Sequence, residues 1–133
     1  MKRLRSFWKD TKGTTAVEFG MVATLMLAML FGIIELGRIF WTQNAVQSAI
    51  ELTARYYIVH TSTSDTDLQT YARAAMTSMQ LDGSALTVTV TKTTSQSIKF
   101  IQLDGNYAYS PLGTSVKNFA NLQLKARSRI SYP

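Results

Sequence analysis

The chain has 133 residues, enough for one globular domain and an anchor but short for two independent domains. Its formal charge of +6 is lopsided: residues 1–13 hold five Lys or Arg against one Asp, while from Thr14 onward nine Lys or Arg face seven Asp or Glu. That diffuse remainder lacks the clustered cationic face that nucleic-acid binding needs, and the absence of Cys excludes disulfides and thiolate metal sites.

The first element is a basic leader, residues 1–13, with Lys2, Arg3, Arg5, Lys9 and Lys12. Next comes "FGMVATLMLAMLFGII", Phe19 to Ile34, sixteen residues without a charge. At a helical rise of about 1.5 Å per residue this run covers roughly 24 Å, somewhat less than a hydrocarbon core of about 30 Å. Extension through Thr14–Val17 on one side and through Leu36, Ile39, Phe40 and Trp41 on the other predicts a transmembrane helix over 14–41. Apolar side chains run all round it, as in a membrane span or a fully buried helix. Phe40 and Trp41 beside Arg38 form an interfacial belt. The positive-inside rule keeps the leader cytoplasmic and exports the remainder. No A-x-A cleavage site follows Ile34, where Glu35, Leu36, Gly37 and Arg38 stand instead, which argues against a secretory signal.

One acid sits just inside the apolar run. Counting from Thr14, the residue after Gly13, Glu18 is fifth. A basic leader, a Gly, a Glu at the fifth position and a single apolar helix resemble the processing site of type IV prepilins. The following "EF" and the "ELGR-F" element at Glu35 to Phe40 make Arg5 to Tyr57 resemble the TadE-like family of pseudopilins of the Tad, or Flp, pilus system. The resemblance implies a membrane-inserted minor pilin or pseudopilin that initiates or caps assembly of an adhesive pilus. It implies cleavage between Gly13 and Thr14 by a prepilin peptidase on the cytoplasmic side of a bacterial inner membrane, with the head in the periplasm and possible incorporation into the pilus outside the cell. The implied partners are the membrane, other pilin or pseudopilin subunits, the peptidase and the Tad assembly platform, with no nucleic acid and no cofactor. Glu18 and Phe19 would then set subunit registry: a carboxylate in hydrocarbon costs up to about 2.5–3.5 kcal/mol on insertion scales, and the new ammonium of Thr14 lies one turn away. The simpler reading makes Glu18 a helix-start acid worth about 0.3–1 kcal/mol and Gly13 a flexible break. Glu35 and Arg38, three apart, share a helix face with Trp41 beside them, either as an interfacial ion pair or as part of the assembly helix.

Trp41, Ala45, Ala49, Leu52, Tyr56 and Val59 recur at three and four, which predicts an apolar stripe on a helix over 42–59 continuous with the membrane segment. Ser64 or Asp65 is placed to cap a second helix, 65–80, with Leu68, Tyr71, Ala72, Ala75, Met76 and Met79 inward and Asp82-Gly83 as its stop. From Ala85 the period becomes two. Leu86, Val88 and Val90 point inward on a first strand, and "SIKFIQL", "NYAYS" and "NLQLKARSRIS" supply the rest of a sheet over 85–132. Asp104-Gly105 is either a hairpin or a bulge. The bulge is preferred, because the family resemblance implies a three-stranded antiparallel sheet. "SPLGTS", 110–115, is the loop. The fold class expected is α+β and type IV pilin-like, with a head over 42–133.

The inventory for catalysis is poor. His60 is the single histidine, at a helix end or loop, and Asp65, Asp67, Asp82 and Asp104 fall where Asp caps and turns. The pair Asp65 and Asp67 lacks the Gly and terminal Glu of a calcium loop, and no phosphate loop occurs. No catalytic residue, metal site or enzyme activity is expected. The alternative function is an uncleaved, signal-anchored periplasmic scaffold or binding protein that recruits a partner through an edge strand.

Overall fold

The computed structural model describes residues 11–111 and 122–133, with side chains from Gly13 onward. Leader residues 1–10 and positions 112–115 of the expected loop lie outside the described residues. In chain order the elements are helix α1 (Thr11–Val59), helix α2 (Asp65–Ser78), a 3-10 turn (Gly83–Ala85), and strands β1 (Leu86–Ser95), β2 (Ile98–Tyr109) and β3 (Leu122–Tyr132). This is an α+β, pilin-like architecture. The chain divides into two compact units, one up to Leu36 and one from Gly37 to Pro133.

The first unit is helix alone. It is described from Thr11, and Gly13 lies within the helix. From Gly13 the helix is long and apolar enough to cross a membrane, and its most apolar stretch buries nothing within the molecule.

In the second unit α1 contributes one face. Thr42, Ala45, Val46, Ala49, Ile50, Thr53, Ala54 and Tyr57 are buried, at alternating steps of three and one. The stripe expected from sequence is therefore rotated: Ala45 and Ala49 belong to the core, but Trp41, Leu52 and Val59 are exposed and Tyr56 is half-buried. Two threonines disguise the true face. Thr42 Oγ1 donates to the Arg38 carbonyl at 2.8 Å and Thr53 Oγ1 to that of Ala49 at 2.7 Å, which satisfies both hydroxyls inside the helix and lets them be buried.

Ser64 starts α2. Its Oγ accepts from the Asp67 N–H at 3.1 Å and donates to Asp67 Oδ2 at 2.7 Å. Leu68, Ala72 and Met76 form the buried face, with Ala75 and Met79 at its margin, while Tyr71 stands outside and stacks on Tyr56. The helix ends earlier than Asp82-Gly83. Gln80 adopts φ 63, its N–H reaches the Thr77 carbonyl at 3.0 Å, and the Leu81 N–H reaches Met76 O at 3.2 Å, a Schellman closure with glutamine in the left-handed position. Asp82 instead caps the 3-10 turn, and a Cβ on Gly83 would collide with the Arg73 carbonyl and Thr77 Oγ1.

The sheet has order β1-β2-β3, antiparallel throughout. Gln96 and Ser97, at φ 50 and 65, make a two-residue turn between the paired residues Ser95 and Ile98. The expected feature at Asp104-Gly105 is neither hairpin nor bulge. Register runs unbroken, with Thr89 opposite Asp104, Val88 opposite Gly105, and both in turn opposite Arg127 and Ala126 of β3. The apparent slip at Phe100 arises because Phe100 lies on the outer face under the Arg129 guanidinium, 4.6 Å from the ring centroid, whereas Ile101, Leu103, Gly105, Tyr107 and Tyr109 face the core. Gly105 permits close helix approach: a Cβ there would stand 2.6 Å from both Cγ1 and Cδ1 of Ile50.

Side chains cover part of both sheet edges. Gln69 receives the Val88 N–H (2.7 Å) and donates to the Leu86 carbonyl (2.8 Å), imitating a neighbouring strand. On the opposite edge Gln43 and Gln47, four residues apart on α1, donate to the carbonyls of Lys125 and Arg127.

Candidate functional site

The residues singled out for processing and registry share the first unit. Gly13, Thr14, Glu18 and Phe19 are all exposed on α1, and Phe19 keeps 74% of its surface. Because α1 begins at Thr11, no acid lies in its first turn, and Glu18 is its eighth residue.

Val17, Phe19, Met21, Val22, Leu25, Met26, Leu27, Met29 and Leu30 are among many large apolar side chains left uncovered. Contiguous exposure on this scale marks a surface made for lipid or for other protein. The small residues are organised as well: Ala16, Gly20, Thr24, Ala28 and Gly32 follow one another at four-residue intervals. Nothing lies within 4 Å of a Cβ built on Gly20 or Gly32, so this chain's own packing does not require glycine there. Glycine inside a helix costs about 1 kcal/mol relative to Ala, and close contact between membrane helices is a setting in which its lack of a side chain is useful. Thr24 Oγ1 donates to the Gly20 carbonyl at 2.8 Å, which hides its polarity in the same ridge.

Glu35 is half-buried near the end of the first unit. Arg38 and Trp41 belong to the second. The Arg38 guanidinium lies 5.6 Å from the centroid of the Tyr109 ring, and Trp41 is 63% exposed on the neighbouring face of α1. Arg38 also borders a cleft of about 280 Å³ with Asp82 and Tyr107, a grouping the sequence reading missed because those residues are far apart along the chain. Asp82 signals itself only through the D-x-S spacing that caps a turn: its Oδ1 accepts from the Ser84 N–H at 2.9 Å and the Ser84 hydroxyl at 2.7 Å, which holds the carboxyl below its ordinary pKa.

The remaining candidate groups are used structurally. Asp65 pairs with Lys92 at 2.9 Å, and Asp67 completes the Ser64 cap. The Asp65 hydrogen bond raises the Lys92 pKa above its ordinary value. His60 stacks on Tyr56, ring centroids 4.3 Å apart, just past the end of α1. Asp104 holds Gln102 and Arg127, and those hydrogen bonds lower its pKa, Gln102 contributing most. Among the described residues no three His, Asp or Glu side chains gather as metal ligands would.

A long apolar helix leading into a small helix-and-sheet unit defines a pilin-like protein. In the comparison with protein families, residues 13–55 match the model described as TadE-like protein. The matched stretch takes in the apolar part of α1 and most of its continuation, and stops short of α2 and the sheet. No curated protein and no solved structure matches the chain.

Proposed function

We propose that the protein is a membrane-inserted minor pilin, or pseudopilin, that takes part in initiating or capping a Tad pilus. The observation that carries this reading is that the TadE-like match, residues 13–55, lies along an exposed helix apolar enough to cross a membrane. In this account residues 1–13 are the leader, 14–41 the membrane segment and 42–133 the periplasmic head, and a prepilin peptidase cuts between Gly13 and Thr14. The membrane anchors the subunit until it is recruited through the Tad assembly platform.

The mechanism is lateral helix association. Cutting at Gly13 makes Thr14 the first residue and Glu18 the fifth. The carboxylate then lies one turn from a new ammonium, its own or that of a sister subunit. Such a pair fixes axial register more than it adds stability, because a buried ion pair gives back much of its Coulomb energy in desolvation. The ridge from Ala16 to Gly32 lets backbones approach, and dispersion between the flanking Leu, Met and Phe side chains supplies attraction. Phe19 lies next to the registering acid, and Glu35, Arg38 and Trp41 occupy the C-terminal end of the membrane segment 14–41.

Glu18→Ala tests the mechanism. Normal cleavage with lost incorporation into pili supports registry; normal cleavage with normal incorporation overturns it. A mature chain that keeps its leader would favour the anchored scaffold instead.

A further inference from the structure

The cleft beside Arg38 is not needed for helix association, and its chemistry is distinctive. It encloses about 280 Å³, slightly below the range of about 300–1,000 Å³ typical of drug-sized ligand pockets, so it suits a smaller polar group. Arg38, Thr42, Asp82, Tyr107 and Tyr109 are among the residues that line it. Three features fix those groups. Thr42 is 3% exposed and tied to the Arg38 carbonyl, which sets the helix face. Asp82 is held ionised by two hydrogen bonds from Ser84. Tyr107, 6% exposed, is kept protonated chiefly by burial and next by the Asp82 charge, against the Asp82 N–H and the Arg38 charge that oppose it. The phenol therefore stands within electrostatic reach of both a guanidinium and a carboxylate.

The cleft thus brings together a cation, a neutral phenol and an anion. A guanidinium and a phenol O–H recognise phosphate, and a fixed carboxylate recognises an ammonium. The place along the chain narrows the source of such a ligand. Arg38 follows the uncharged run by only a few residues, and Trp41, one turn further, exposes an indole of the kind enriched where lipid headgroups meet water.

We propose that this cleft binds the headgroup of a zwitterionic phospholipid, with the phosphate at Arg38 and Tyr107 and a primary ammonium at Asp82. The site gives the protein a lipid preference before assembly. It rests on the membrane reading of α1 but not on processing at Gly13.

Full-length protein extracted from membranes in mild detergent is the material for the test. Native mass spectrometry, with phosphatidylethanolamine, phosphatidylglycerol or water-soluble glycerophosphoethanolamine added in turn, counts the molecules retained. The expected result is at least fivefold greater retention of phosphatidylethanolamine than of phosphatidylglycerol, which corresponds to about 1 kcal/mol. Arg38→Gln should lower retention of both lipids, and Asp82→Asn should reduce the first to the level of the second. Because Asp82 also caps a turn, Tyr107→Phe, which keeps the ring and removes the hydroxyl, supplies the second variant and should weaken retention of both lipids. Equal retention of the two lipids by the parent protein, or retention unchanged by Arg38→Gln, overturns the proposal. Glycerophosphoethanolamine bound as tightly as the lipid overturns a membrane lipid as the occupant. Failure of membrane insertion itself would show separately, as protein in the soluble fraction before any lipid is added.

Discussion

Gly105→Ala is the substitution whose consequence follows most directly from the geometry. The added methyl would stand 2.6 Å from Cγ1 and Cδ1 of Ile50, about an ångström inside the normal carbon contact of roughly 3.5–4.0 Å. Ile50 is completely buried among the central residues of the helix-sheet core, so it cannot swing into solvent. Relief must come from displacing α1 from the sheet or from an off-rotamer side chain, and overpacking of this kind costs about 1–3 kcal/mol. For a domain of about 60–100 residues each kcal/mol lowers the melting temperature by roughly 4–8 °C. Thermal unfolding of the detergent-solubilised chain, followed by near-UV circular dichroism of the tyrosines, reads the effect. Ile50→Ala removes both colliding atoms and should itself cost about 2–5 kcal/mol. Adding Gly105→Ala to it should cost nothing further, because the methyl enters the space vacated. A melting temperature unchanged by Gly105→Ala, or a double variant whose loss equals the sum of the singles, would refute the close approach of helix and strand.

Ser64→Ala should cost about 0.5–2 kcal/mol in urea denaturation, because the Asp67 N–H loses its acceptor, while Ser64→Asp should restore most of it. Acid should destabilise the Gly37–Pro133 unit through Asp104 and Asp82, whose pKa values are depressed in the fold by Gln102 with Arg127 and by Ser84 respectively. A depressed carboxyl contributes stability above its unfolded pKa of about 3.9 and loses it as pH falls through the lower folded value. Urea midpoints should therefore stay level from neutrality to about pH 5 and fall below about pH 4, less steeply in Asp104→Asn. Gly20→Ala with Gly32→Ala should raise monomer helicity, by about 1 kcal/mol per site, because each new methyl meets open space. The same pair should reduce self-association of the extracted protein in cross-linking; unchanged cross-linking would count against the ridge as a packing surface.

Much of this architecture is legible in the sequence because its signals are long. The uncharged run from Phe19 to Ile34, the period of two after Ala85 and the Ser64 cap each name an element without help from tertiary structure. The misreadings share a cause: a residue type was read for its usual role while tertiary contact assigned it another. Thr42 and Thr53 look polar but are buried by bonding back within the helix. Asp104-Gly105 looks like a turn, yet the glycine serves the approach of Ile50 and the aspartate pairs across strands with Arg127. Gln80, Gln96 and Ser97 take left-handed conformations usually given to Gly or Asn, so the helix stop and the hairpin turn carry no local signature. The motif around Gly13 and Glu18 is readable as a pattern, and both residues lie on the exposed part of α1. The cleft at Arg38 was invisible, because Arg38, Asp82 and Tyr107 meet only after the sheet packs on α1.

Intact mass and N-terminal sequencing of the protein recovered from the membrane fraction of cells that contain a Tad system address the central claim most directly. A chain beginning at Thr14 and released only by detergent is the predicted result. A chain beginning at Met1 and recovered from the soluble fraction would contradict it.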